Sequence, residues 1–147
     1  IAERYSFTFE VYGRWDKPSR DYYKGYILHN DIPKVLQESI LGICLLKSTD
    51  NYINAVPTKV FEYLKYGVPV ICSDFLPIRN KFKEVDGIFF SDTNSRDQTL
   101  DLIESALNEI KGSSDIHEQI RKSYQKKNYN WTAEEEKLLE IYSEIKI

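Results

Sequence analysis

The sequence predicts an α/β fold in which helices cover both faces of a parallel sheet. Short apolar runs alternate with segments of helical periodicity along most of the chain, an order that is typical of strands joined by helical crossovers. Residues 68–72, VPVIC, are almost wholly apolar, as expected of a strand buried on both faces. These observations predict a doubly wound, Rossmann-like parallel sheet.

Two strands and one helix are predicted before residue 42. Residues 5–13 alternate like a strand, residues 13–25 are polar and rich in turn formers, and residues 26–28 are a short run that predicts a buried strand. A helix follows, capped by Asn30 or Asp31 and opened by Pro33. Its inner face is predicted to carry three apolar side chains, Val35, Leu36 and Ile40.

The middle of the chain is predicted to be strand, helix and strand. Residues 42–46 are an apolar strand candidate. Pro57 has the backbone angle suited to a first helical turn, and Gly67 suits a helix end, so a helix is predicted over residues 57–66. The apolar run 68–72 is the strand that follows it.

The last third contains one strand and three helices. Residues 87–90 predict the strand, and Ser95 with Gln98 forms a capping box before the apolar positions Leu100, Ile103, Leu107 and Ile110. A second helix is predicted over residues 115–126. Thr132 with Glu135 repeats the capping box before the last helix, and Trp131 is expected to pack beneath the solvated face of the helix that precedes it.

Composition predicts one globular domain that occupies the cytoplasm. The 147 residues are 41% hydrophobic with a net charge of −3, which suits a single core and argues against a nucleic-acid partner. The sequence has no apolar run of membrane-spanning length and no leader pattern. Cys44 and Cys72 lie within apolar runs and are predicted to be reduced core residues.

The start of the helix at residues 57–66 is predicted to bind an anion. The backbone N–H groups of Thr58, Lys59 and Val60 are expected to be free in its first turn, at the positive end of the helix dipole. Thr58 adds a hydroxyl and Lys59 adds a charge. These groups together favour a phosphate.

Glu62 is predicted to bind a diol beside that phosphate. It follows Thr58 by four positions, so both side chains share one helix face with a rise of roughly 6 Å between them. That distance is about the step from a diphosphate to its ribose. A carboxylate can accept hydrogen bonds from the two ribose hydroxyls. The alternative is an exposed Glu62 that pairs with Lys59 or Lys65.

The central segment resembles a known family. Residues 57–75, PTKVFEYLKYGVPVICSDF, are similar to the signature of the C-terminal, nucleotide-sugar-binding domain of family 4 glycosyltransferases, which have the two-domain glycosyltransferase B fold. The pattern is closest to bacterial enzymes of capsule, O-antigen and exopolysaccharide assembly. GICLL (42–46), residues 86–107 and residues 128–145 resemble the flanking segments of the same domain.

The resemblance implies roles for the central residues. Glu62 would bind the ribose hydroxyls and, with Lys59, would support catalysis, while Thr58, Lys59 and the Val60 amide would lie against the diphosphate. The expected reaction is retaining, metal-independent transfer of a hexose or related sugar from a nucleotide diphosphate sugar to a surface polysaccharide or lipid-linked acceptor. No cofactor is expected.

The resemblance also implies that residues 1–147 are one C-terminal donor-binding domain of a longer chain. The sequence contains no Met, and residues 5–13 resemble the second strand of that domain, so a first strand and helix are expected upstream. The acceptor would be bound mainly by an N-terminal domain, toward which the last helix crosses in relatives. The isolated fragment is therefore expected to be inactive, and the whole enzyme could associate peripherally with the inner face of the membrane.

Three further residues are predicted near the donor. Many family members carry a second Glu eight residues before the ribose Glu, but Asn54 stands there in this chain, so the sugar contact passes to Asn54 or Tyr52. His29 follows a predicted strand at the ligand-binding edge of the sheet, where it could contact the base or be a plain loop residue. A metal site is not expected, since His117 is the other His and offers no partner.

Other readings of the sequence stay open. The chain could be a non-catalytic α/β interaction module that keeps the signature as scaffold, or a sugar-nucleotide epimerase of the same fold. Residues 120–131, IRKSYQKKNYNW, mix basic and aromatic residues and could form a surface for RNA or membrane. A solvated helix face is the alternative.

Overall fold

The computed structural model describes residues 1–14 and 20–145 of the chain. Its contacts divide the chain into two compact units, Ile1–Ser39 and Ile40–Ile147. The expectation that residues 1–147 form one donor-binding domain stays a prediction. Residues 15–19 of the predicted turn-rich segment lie outside the described residues.

The first unit contains two short parallel strands and two helices. Helix α1 is Ala2–Tyr5, strand β1 is Val11–Tyr12, strand β2 is Tyr23–Gly25, a 3₁₀ turn is His29–Asp31 and helix α2 is Ile32–Glu38. The two strands pair in parallel, with Val11 opposite Tyr23.

Both strand predictions in this unit are wrong in their bounds. Residues 5–13 begin in helix α1, and Ser6 then has a φ of 57°, a left-handed conformation that interrupts an extended chain. Residues 26–28 lie after β2, with Tyr26 and Leu28 exposed. A run of three residues is too short to show the alternation that identifies a strand.

Helix α2 forms where it was predicted, but no side chain caps it. Asp31 is its N-cap residue without a side-chain cap bond, and Pro33 lies in its first turn. Leu36 is buried, as predicted. Ile40 lies beyond the helix end and is 43% exposed, so its placement on the inner face was wrong.

The second unit contains a three-stranded parallel sheet at the predicted positions. Strand β3 is Gly42–Cys44, β4 is Val70–Ser73 and β5 is Ile88–Ser91, and they pair in the order β3-β4-β5. Cys44, Cys72 and Phe90 lie side by side across the sheet. Every residue of β4 is buried, which confirms the interpretation of its apolar sequence.

Six helices accompany this sheet among the described residues. They are α3 (Asp50–Ile53), α4 (Thr58–Lys65), α5 (Leu76–Phe82), α6 (Arg96–Gly112), α7 (Ile116–Lys126) and α8 (Trp131–Glu144). The sequence predicts α4, α6, α7 and α8 but neither α3 nor α5. Those two are four and seven residues long, too short for a helical period to be recognised.

The core of the second unit lies where α4 and α7 meet the middle of the sheet. Val60 and Leu64 of α4 are completely buried there. Burial raises the pKa of the Cys72 thiol to about 12 and also raises the pKa of Cys44. Both cysteines are buried and free, which confirms their prediction as core residues.

Helix α4 ends at a turn that α7 holds in place. Gly67 has a φ of +77°, which glycine adopts without strain, so its predicted role as the stop is confirmed. The ring Nδ1 of His117 lies 2.9 Å from the Gly67 carbonyl oxygen. A Cβ at position 67 would lie 2.5 Å from the His117 carbonyl oxygen. This contact gives His117 a structural partner that its sequence context did not indicate.

The predicted caps of α6 and α8 have different outcomes. The Ser95 hydroxyl accepts a bond from the Gln98 amide at the start of α6, as predicted. At α8 the cap is Asn130, whose side chain accepts from the Ala133 amide at 3.0 Å, so the prediction of Thr132 was wrong. An Asn two residues earlier reaches the first free amides, and Thr132 becomes part of the helix.

The α/β prediction is confirmed, since parallel strands flanked by helices build the described chain. Among residues 1–14 and 20–145, no helix has both the length and the apolar character needed to cross a membrane.

Candidate functional site

The first turn of α4 faces the carboxyl edge of the sheet. The chain leaves β3 at that edge and must return to the opposite edge to begin the parallel strand β4, and α4 makes this return. Pro57 is the N-cap residue with an extended backbone, and no side chain caps the helix. Ligands of open α/β sheets bind at this edge.

One of the backbone amides of this turn already donates a hydrogen bond within the protein. The Val60 amide donates to the Pro57 carbonyl oxygen at 3.2 Å, so the expectation of a free amide at Val60 was wrong. A tightened first turn brings that amide within reach of the cap residue, as is common at helix ends. The amides of Thr58 and Lys59 precede it and have no partner within the helix.

A cleft of about 500 Å³ lies beside α4. Two of its lining residues, Thr58 and Glu62, are one turn apart on α4. The others come from α5, α7, the connection between α7 and α8, and the start of α8: Lys81, Tyr124, Tyr129, Asn130, Trp131 and Glu134, together with Phe61 of α4. The structure therefore brings together the predicted hydroxyl and the predicted carboxylate.

Glu62 makes an ion pair at the edge of this cleft. Its Oε2 lies 2.8 Å from the Lys59 Nζ, and the two side chains are 31% and 58% exposed. This is the pairing that the sequence offers as the alternative for Glu62. Because both groups remain accessible to solvent, the pair is weak and a ligand can exchange for either partner.

Aromatic side chains form the floor of the cleft. Phe61 packs edge-on against Phe82 and Tyr129, with ring centroids 4.7 and 5.4 Å apart. The Tyr129 hydroxyl donates to the Lys81 carbonyl oxygen, and the Lys81 Nζ lies 4.9 Å from the Tyr129 ring centroid. Burial raises the pKa of the Tyr129 hydroxyl, which therefore stays protonated at neutral pH. The rings are held in fixed positions.

A comparison with protein families identifies the chain. A family model described as glycosyl transferase-like matches residues 1–140. The chain belongs to this family. No curated protein and no solved structure matches it. The family match confirms the broad prediction of a glycosyltransferase domain.

Four residues of the second unit that the sequence predicts at the donor do not line the cleft of this glycosyltransferase domain: Tyr52, Asn54, Lys59 and Val60. Tyr52 belongs to α3 and Asn54 is its C-cap residue, and both are exposed. His29 begins the 3₁₀ turn of the first unit and is also exposed. The Val60 side chain belongs to the core instead. Their roles in binding stay predictions.

The sequence did not indicate the far wall of the cleft. Trp131 was expected to pack beneath the solvated helix face of residues 120–131, but it is 70% exposed and lines the cleft. The mixture of basic and aromatic residues at 120–131 was the available signal, and it suggested other ligands. Lys81 and Glu134 had no local signal, because only the packing of α5 and α8 brings them to α4.

A second, smaller cleft lies at the carboxyl edge of the sheet. Its volume is about 310 Å³, and its lining comes from the segments after β3 and β5: Leu45, Leu46, Lys47, Thr93, Arg96, Thr99 and Leu100. None of the predicted site residues lines it.

The described residues bring no group of three or more His, Cys, Asp or Glu side chains together in a way that could hold a metal ion. The expectation that the transferase needs no metal stays a prediction.

Proposed function

We propose that the cleft beside α4 binds a nucleotide diphosphate sugar and that the intact protein transfers the sugar to an acceptor. The observation that carries this proposal is the position of Thr58 and Glu62, which line one cleft at a helix start that no side chain caps. Membership of the glycosyl transferase-like family supports it.

The first turn of α4 suits the diphosphate. Its amides and the Thr58 hydroxyl can donate to phosphate oxygens at the positive end of the helix dipole. Negative charge grows on the diphosphate as its bond to the sugar breaks. Groups that are already positioned to stabilise that charge accelerate the departure of the leaving group.

Lys59 adds a cation at a place where the helix itself does not favour one. It is the second residue of α4, and a positive charge near a helix N-terminus is opposed by the dipole. A bound diphosphate would reverse this balance. In the proposed complex the Lys59 ammonium group moves from Glu62 to the phosphate. The released Glu62 carboxylate then accepts hydrogen bonds from the two ribose hydroxyls.

Calorimetry on the intact protein tests the role of Glu62. UDP, GDP, ADP and dTDP serve as probes, and the tightest binder is compared with the Glu62→Gln variant. Loss of a charged hydrogen-bond partner is expected to weaken that binding by about tenfold to hundredfold.

A matched control is available on α7. Glu118 forms a similar exposed ion pair with Arg121 at 2.9 Å, three positions along its helix and outside the cleft. Glu118→Gln should leave nucleotide affinity unchanged. Equal affinities for wild type and Glu62→Gln would remove Glu62 from the ribose.

The finer assignment follows the family 4 resemblance of residues 57–75. The proposed reaction is retaining, metal-independent transfer of a hexose to a bacterial surface polysaccharide or lipid-linked acceptor at the inner face of the membrane. Turnover of nucleotide sugars in the presence of EDTA, with the anomeric configuration of the product read by NMR, tests each part. An inverted product or loss of turnover with EDTA would contradict it.

A non-catalytic interaction module is the second candidate. The ion pair between Lys59 and Glu62 favours it, because each side chain already has a partner without a ligand. This candidate predicts that the intact protein binds no nucleoside diphosphate and turns over no nucleotide sugar.

A further inference from the structure

Trp131 presents an unused aromatic surface at the opening of the cleft. Its side chain is 70% exposed and lines the cleft that contains Glu62. The neighbouring rings of Phe61, Phe82 and Tyr129 pack against one another. Trp131 takes part in none of these ring pairs, so its indole face is available to a ligand.

The backbone on both sides of Trp131 is fixed. Asn130 caps α8 through its bond to the Ala133 amide, and Trp131 is the first residue of that helix. Tyr129 is anchored by its hydroxyl to the Lys81 carbonyl oxygen and by its ring contact with Tyr124. An exposed indole on such a support loses little freedom when a ligand stacks on it.

Glu134 adds a hydrogen-bond acceptor beside the indole. It follows Trp131 by three positions on α8, which places both side chains on one helix face, and it lines the same cleft. A hydrogen bond from Lys137 lowers the pKa of the Glu134 carboxyl, so this group is charged at neutral pH.

The lining chemistry selects among ligands for this wall. An aromatic face favours a ligand with an apolar side, and a carboxylate favours a ligand with hydroxyl groups at its edge. A pyranose ring combines an apolar face with a rim of hydroxyls.

We propose that Trp131 and Glu134 form a pyranose subsite across the cleft from Glu62. The indole stacks on the apolar face of the sugar, and the Glu134 carboxylate accepts hydrogen bonds from its hydroxyls. The cleft volume of about 500 Å³ is within the range of ligand sites. This inference rests on the proposed function for the Glu62 side of the same cleft, and the sugar belongs either to the donor or to a free glycan acceptor.

Tryptophan fluorescence of the intact protein reads the subsite directly. Trp15 and Trp131 are the two tryptophans of the sequence, so the Trp15→Phe background makes Trp131 the reporter among these residues. UDP-glucose, UDP-galactose, GDP-mannose and ADP-glucose are titrated against UDP, GDP and ADP, and maltose and cellobiose represent free glycans. A change in Trp131 emission is expected with the sugar-bearing probes and not with the bare nucleotides.

Affinities of variants give the second readout. Trp131→Ala is expected to weaken binding of the sugar-bearing probe by about threefold to tenfold and to leave the matching nucleoside diphosphate unchanged. Trp131→Phe should restore most of the loss, and Glu134→Gln should weaken the same probe. Leu139→Ala and Glu136→Gln, two exposed α8 positions outside the cleft, are the matched controls and should have no effect.

The outcomes separate the two sources and the two proposals. Weakened nucleotide-sugar binding supports the donor sugar, and weakened disaccharide binding supports an acceptor glycan. Equal loss for sugar-bearing and bare nucleotides, no loss for either variant, or no binding of any probe by the wild type overturns the subsite. If Glu62→Gln leaves nucleotide affinity unchanged while Trp131→Ala weakens a sugar probe, the ribose assignment fails and the subsite stands.

Discussion

Helices α4 and α8 border the same cleft but are held in opposite ways. Helix α4 buries Val60 and Leu64 completely, whereas none of the described side chains of α8 is buried. Conversely, α8 has a side-chain cap at Asn130, and α4 begins without one. Tertiary packing holds α4 in place, so its first turn can remain open to a ligand, while α8 depends on local interactions.

The largest difference in stability between the two helices should appear when a leucine of each is replaced by alanine. Leu64→Ala removes a completely buried side chain and is expected to lower the free energy of unfolding by about 2–5 kcal/mol. Leu139→Ala removes an exposed one and should change it by less than about 0.5 kcal/mol. Urea denaturation of both variants measures the contrast, and equal effects would mean that α8 is packed as firmly as α4.

The end of α4 should be the next most sensitive position. Gly67→Ala places a Cβ 2.5 Å from the His117 carbonyl oxygen at a φ of +77°, so a loss of about 1–3 kcal/mol in unfolding free energy is expected. The control is Gly112→Ala, at the end of α6, where no atom lies within 4 Å of the added Cβ. Thermal denaturation should show a lower melting temperature for the first variant and an equal or higher one for the second.

The start of α8 should show a smaller, local effect. Asn130→Ala removes the bond to the Ala133 amide and is expected to cost about 1 kcal/mol. Hydrogen exchange of the first amides of α8 should accelerate. Thr132→Ala is the control, and it should have little effect because Thr132 is not the cap residue. A larger effect at Thr132 would restore the capping box that the sequence suggested.

Removing the ion pairs of the two helices should have the smallest effects on the free energy of unfolding, and the two effects should be opposite in sign. Lys59 precedes Glu62 in α4, whereas Glu134 precedes Lys137 in α8, and the second order is the one that the helix dipole favours. Without ligand, Lys59→Gln should therefore be neutral or stabilising by at most about 0.5 kcal/mol. Lys137→Gln should be slightly destabilising. A clear loss of stability in Lys59→Gln would assign this pair a structural role.

Several elements could be predicted because their signals are local. The buried strand β4, the start of α4 directly after Pro57, the stop at Gly67 and the Ser95 cap each depend on residues that are close in sequence. The bounds of the strands before residue 30 could not be predicted, because strands of two or three residues are too short to show a periodic pattern.

The part of the cleft that α4 contributes could be predicted for the same reason. Thr58 and Glu62 share a helix, so their spacing alone places them on one face. Strand β4 separates Lys81 from them in sequence, and two strands and three helices separate Trp131 and Glu134 from them. No local pattern relates such residues.

The sequence by itself therefore determined the α/β class and the helix that carries Thr58 and Glu62, because both are encoded by short-range periodicity and turn chemistry. Tertiary structure alone decided that Lys81, Trp131 and Glu134 line one cleft with Thr58 and Glu62. The reason is physical: side-chain contacts between distant segments follow from the packing of α5, α7 and α8 around α4, and this packing is determined by the whole core at once.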